Sequence, residues 1–183
     1  MDTCCAVSPW TWLFLSSFAL LACLHALSLR RSISWSFRTH LWVMGSLWNL
    51  WNAGIVVLVF ILPPTITLPM GLRALGVVLV IGGLIVGAWH RWLLGRERFY
   101  GGRCFDQKYD THITGGLYRY LRHPIYDGII LAFVGLALWR ENTDFLLLAA
   151  ASFLCLNVFM ARIEGLPRRS LGAKTGAPRP TRA

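Results

Sequence analysis

The chain has 183 residues, 56% of them hydrophobic and 14% charged, with a mean hydropathy of +0.55 and a formal net charge of +10. A soluble domain of this composition would hold more apolar side chains than it can bury, which argues against the water-soluble classes and makes the bilayer the expected solvent. The basic excess does not point to nucleic acid, because no basic soluble module accompanies it.

A helical span needs roughly 20 mostly apolar residues to cross about 30 Å of hydrocarbon. Five segments approach or meet that length. Residues 11–29 and 41–62 carry no formal charge; residues 72–89 carry only Arg73, near the start, where a long side chain can snorkel. Residues 124–139 contain Asp127 alone, and residues 145–160 contain no charge. No Lys or Arg precedes Arg30, so the basic start of a signal peptide is missing and the first segment is expected to remain as a helix.

The fold expected is therefore an all-α integral membrane protein of about five transmembrane helices. Alternating their direction puts every Lys and Arg except Arg73 and Arg140 on one side. Loops rich in these residues stay cytoplasmic, so the N-terminus is expected outside and the C-terminus in the cytoplasm. Residues 1–166 read as one transmembrane domain. Residues 167–183, rich in Pro, Gly and Arg with little to bury, read as a basic, disordered tail. The five cysteines are an odd count with no Cys-x-x-Cys or Cys/His spacing, so neither a metal site nor a disulfide framework is expected.

The last two segments read as a helical hairpin. Pro124 suits a first helical turn, where its missing N–H costs nothing; residues 140–143 read as the turn, with Thr143 as N-cap. Taken as regular helix, residues 144–164 rise about 31 Å. That brings Glu164 back to the cytoplasmic level of His123, beside the basic loop. An acid there among Arg119, Arg122 and His123 marks a candidate site.

Residues 115–128, GGLYRYLRHPIYDG, are a dense polar and aromatic cluster in this apolar chain. Interfacial Tyr and Arg alone would be ordinary at a helix end, but their order is specific. Gly116, Tyr118, Arg122, His123, Pro124, Tyr126 and Gly128 fall in the pattern G-x-Y-x-x-x-R-H-P-x-Y-x-G. This resembles the signature of the isoprenylcysteine carboxyl methyltransferase family, whose superfamily includes phospholipid methyltransferases and bacterial thiol methyltransferases. The likeness runs over residues 93–164. It implies an integral membrane enzyme that binds S-adenosyl-L-methionine between the motif loop and the last helices. The expected acceptor is a lipophilic or small molecule: the carboxylate of a prenylated cysteine, a phospholipid amine or a thiol. The site would face the cytoplasm, at a bacterial inner membrane or the endoplasmic reticulum. Family members continue the acidic position as Glu-Glu and then a Phe-Gly and Tyr-rich helix; here Gly165, Pro167 and a basic tail follow.

The residue types suit such a cofactor, which presents a carboxylate, an ammonium, a ribose, an adenine and a sulfonium. Arg122 or His123 is placed to hold the carboxylate by charge-assisted bonds, and Glu164 the ammonium or ribose hydroxyls. Tyr118 and Tyr126 offer faces to the adenine or sulfonium. Gly116 and Gly128 allow backbone to approach, and Pro124 sets the helix start. Arg122 and Arg119 are the catalytic candidates, Arg119 as a cation that steers an anionic acceptor. His112, Asp110 and Asp127 are possible bases for an acceptor that must lose a proton. Two further readings stand beside this one: an inactive relative acting as a membrane partner protein, and a b-type haem protein using His25 and His90.

Overall fold

The computed structural model describes residues 7–30, 33–100, 105, 116–121 and 123–160. Among them the protein is all-helical, with five helices and no strands. The first, α1, spans Pro9–Leu29 and begins with Pro9 in its first turn behind the N-cap Ser8, whose hydroxyl accepts the Trp10 N–H at 3.3 Å. The second, α2, spans Phe37–Ile61, with Ser36 Oγ accepting the Thr39 N–H at 3.1 Å. Helix α3 spans Met70–Phe99, α4 Pro124–Arg140 and α5 Asp144–Ser152. A 3₁₀ turn over Gly116–Arg119 precedes α4, and a π-helical segment over Phe153–Met160 continues α5.

Helices α1, α2 and α3 are long and apolar enough to cross a membrane. Large side chains point outward along them, Leu20, Phe60, Met70 and Leu84 among them. In water such a surface would drive aggregation; against acyl chains it costs nothing.

Two expectations need correction. The third segment does not stop at residue 89 but runs ten residues further, because the basic stretch carrying Arg91, Arg96 and Arg98 is helical although it is too polar for a hydropathy window. The fifth does not continue as regular α-helix: the i→i+5 pattern takes over at Phe153, and the apolar sequence there holds no signal for it. The α-helical rise used to level Glu164 with His123 therefore does not apply to its second half.

Packing is closest between α3 and α4, where small residues recur seven apart on each helix. A Cβ built on Gly83 would lie 2.5 Å from the Gly128 carbonyl oxygen, and one on Gly76 2.7 Å from that of Gly135. Backbone meets backbone along this seam, as small residues permit in membranes. Helices α1 and α2 meet differently, through rings. Phe18 lies 4.9 Å from Trp51 and 6.0 Å from Trp48, and Trp51 meets Phe133 of α4 edge-on at 6.1 Å.

One end of the bundle is closed by a polar network. Asp144, buried at the start of α5, accepts the Thr11 hydroxyl at 2.8 Å and the Ser8 N–H at 3.2 Å, both from the start of α1. Glu141 adopts the left-handed conformation (φ 54°); its carbonyl accepts the N–H groups of Thr65 and Ile66, and its carboxylate that of Leu68 at 2.8 Å. Asn142 donates to the Pro63 carbonyl at 2.6 Å and accepts the Asp144 N–H at 2.8 Å. Thr143 takes the N-cap position of α5 but makes no capping bond with its side chain. Its hydroxyl instead meets that of Thr65 at 3.2 Å, and Asn142 does the capping.

Candidate functional site

The motif loop meets the far end of α3. His123 is the N-cap residue of α4, and its carbonyl accepts the N–H groups of Tyr126 and Asp127 at 2.9 and 3.2 Å. Pro124, fully buried, occupies the first turn, where it has no N–H to satisfy. The helix start points Tyr126 back along its own turn, so its ring stacks on His123 with centroids 5.2 Å apart and planes at 20°. Asp127, unexpected from the motif, lies in the same first turn, where the partial positive charge of the helix terminus favours a carboxylate.

Tyr118, in the 3₁₀ turn, shares a hydrogen bond with His90 of α3. Its hydroxyl oxygen is 3.1 Å from Nδ1 and 3.5 Å from Nε2, and the two rings lie 5.5 Å apart. One turn earlier on α3, a Cβ on Gly87 would lie 3.5 Å from the Ile125 side chain, so His90 joins Tyr118 to the wall that also meets the start of α4. Phe99 meets His90 edge-on at 5.7 Å.

That last contact needs a break in α3. Residues 90 and 99 of a straight helix would be nine positions apart, about 13.5 Å along the axis and on opposite sides. At Gly95 the chain takes φ 69° and ψ 165°, a region that only glycine enters readily. The segment beyond folds back: Arg91 lies 5.5 Å over the Phe99 ring and donates to the Tyr100 hydroxyl at 3.3 Å. Tyr100 in turn is tied to α2, because its carbonyl lies 2.9 Å from His40 Nε2 while His40 Nδ1 meets Ser28 Oγ of α1 at 2.6 Å. Arg96 sits 4.7 Å over the Trp42 ring.

The structure thus gathers Tyr118, His123, Pro124 and Tyr126 with His90 and Phe99. Gly128 is placed differently. The approach it permits is to α3, where a Cβ would meet the Gly83 carbonyl oxygen at 3.0 Å. Arg119 is exposed, 5.9 Å over the ring of its neighbour Tyr120. Gly116 opens the 3₁₀ turn. Arg122 and Glu164 lie outside the described residues, as do the possible bases His112 and Asp110. His90 entered the sequence reading only as a possible haem ligand. Its nitrogens are instead within reach of Tyr118, and His25 has the His40 ring as its neighbour at 5.2 Å. Nothing among the described residues supports the haem reading.

Among the described residues, five helices, three of them long and apolar enough to span a bilayer, point to a helical membrane protein with an aromatic and histidine cluster at one end. The sequence model of the phospholipid methyltransferase family matches residues 72–166, just over half of the chain, from the start of α3 through the motif and α5. The chain belongs to that family, and so to the membrane methyltransferases. Neither the curated proteins nor the solved structures include a match to it.

Proposed function

We propose that the protein transfers a methyl group from S-adenosyl-L-methionine to a lipophilic acceptor, with a phospholipid amine first among the three acceptor classes. The observation that carries this reading is the convergence of Tyr118, His123 and Tyr126 with His90 and Phe99 inside the family-matched region. Stacked rings beside a histidine suit a ligand that has an aromatic base and a sulfonium, and cation–π contacts of this kind contribute about 0.5–2 kcal/mol each. The donor set therefore fits the cofactor.

When bound, the cofactor supplies an already activated methyl carbon, so the protein need not provide a nucleophile. Its own residues have other work. Arg122 or His123 holds the cofactor carboxylate, and Glu164 the ammonium or ribose hydroxyls. Tyr118 and Tyr126 offer their faces, and the surrounding rings keep water out. Exposed Arg119 draws the phosphate of a lipid head group. A protonated amine must be neutralised before it attacks; Asp127, in the first turn of α4, is the candidate base inside the described site. We place this end of the bundle in the cytoplasm, with the N-terminus of α1 outside and α4 and α5 as a hairpin, from the distribution of Lys and Arg.

Calorimetry on the detergent-purified full chain tests the reading. Wild type is expected to bind S-adenosyl-L-methionine at micromolar concentration, and His123→Ala and Glu164→Ala each to lose about tenfold, or ~1.4 kcal/mol. Labelled methyl groups then report the acceptor when phosphatidylethanolamine, a prenylated cysteine and a small thiol are offered in parallel. Absence of binding by wild type overturns the enzymatic reading in favour of the membrane partner protein. Transfer to the thiol alone overturns the lipid acceptor.

A further inference from the structure

His90 belongs to no part of the motif, yet it is the described side chain that joins motif residue Tyr118 to the wall of the bundle. It lies on α3, almost fully buried (6% exposed), five residues before the Gly95 break. Phe99 closes on it from beyond that break, and the chain leading on to Tyr100 is held by His40 and Arg91. The ring is thus clamped from its own helix, while its Nδ1 reaches across to the Tyr118 hydroxyl at 3.1 Å.

Tyr118 sits in a four-residue 3₁₀ turn, and its hydroxyl is bonded to a buried, clamped histidine of another helix. That bond constrains the ring from outside the turn. It sets the direction of the Tyr118 ring before any ligand arrives, so the cost of ordering that ring is met on folding and not on binding.

We infer that His90 is a positioning residue: acting through the Tyr118 hydroxyl, it holds that ring in the orientation that receives the cofactor. This inference rests on the cofactor reading above. It adds a residue from outside the motif and makes the Gly95 break the device that clamps it.

A double-variant cycle on S-adenosyl-L-methionine affinity, measured by calorimetry with the full chain, tests it. His90→Phe, which keeps a ring but loses the nitrogen, and Tyr118→Phe, which loses only a hydroxyl, are each expected to weaken binding about fivefold to tenfold, the worth of one hydrogen bond. Because both remove the same bond, the double variant is expected to match either single one and not to multiply them. His90→Asn, whose amide offers a polar atom near the place of Nδ1, is expected to recover binding to within about twofold of wild type. In methyl-transfer assays, KM for the lipid acceptor is expected to stay unchanged in all four proteins. A histidine that serves packing alone would be rescued by Phe and not by Asn, and that result overturns the inference. So does a double variant whose losses multiply, or a Tyr118→Phe protein that binds as wild type does. If wild type itself fails to bind, the cofactor reading falls and this inference with it; in the other cases wild type binds, so the two failures are told apart.

Discussion

The two ends of the bundle solve opposite problems. At the end holding Glu141, Asn142 and Asp144, short side chains and turn backbone pair with one another. Thr65, Ile66, Leu68, Ser8 and Thr11 all find partners there within one network. At the other end, rings and cations from α2, α3 and the motif meet through stacking and cation–π contacts as much as through hydrogen bonds. The first arrangement ties the α2–α3 loop, the α4–α5 turn and the start of α1 together through direct hydrogen bonds. The second sets its rings beside the exposed Arg119. Direct hydrogen bonds dominate at one end and ring contacts at the other.

Substitutions break or sharpen this contrast. The largest effect belongs to the seam that joins the two ends: Gly83→Leu drives a side chain into the Gly128 carbonyl and is expected to cost about 3 kcal/mol or more. Loss of monodisperse protein in size-exclusion chromatography would register it, together with loss of function at both ends. Asp144→Ala comes next, stranding the buried Thr11 hydroxyl and the Ser8 N–H for about 1–3 kcal/mol. Thermal unfolding in detergent should show the drop, and calorimetry should show cofactor affinity intact; a loss of affinity would mean that the ends are coupled. Gly95→Ala forces an L residue into φ 69°, ψ 165° with nothing near its new methyl, so backbone strain of about 1–2 kcal/mol is the whole cost. Here cofactor affinity is expected to fall with the melting temperature, the reverse of the pattern for Asp144. Arg73→Ala should do least. Its nitrogen is 4.0 Å from the Glu141 carboxylate and its side chain is half exposed, so a change within about 0.5 kcal/mol is expected in the same melting assay.

Much of this was legible in the residues. Hydropathy finds the length of chain that lipid must cover, and it located the five helices found among the described residues. Pro124 announced the start of α4, and the spacing of the motif drew attention to the residues just before it. What escaped has a common cause, which is that contact between distant elements leaves no local mark. A hydropathy window ends at Trp89 because arginines follow, although those arginines sit on the same helix over Phe99 and Trp42. The pattern around Gly128 suggests ligand contact; only the fold reveals that the carbonyl of Gly83 takes that space. His90 looked like any histidine near a helix end until Tyr118 was placed beside it.

The α3–α4 seam also has a mechanical meaning. Backbone against backbone has no side-chain cushion, so these two helices cannot slide without losing contact, and they form the stiff member of the bundle. Helices α1 and α2, which meet through rings that have rotamers to spare, form the compliant one. Their lengths differ too: about 37 Å for the part of α3 that runs from Met70 to the Gly95 break against about 31 Å for the 21 residues of α1, at ~1.5 Å each. A bilayer that thickens or thins therefore strains the two members unequally. The compliant pair tilts to follow the lipid while the stiff pair, which carries His90 and the start of α4, keeps its register.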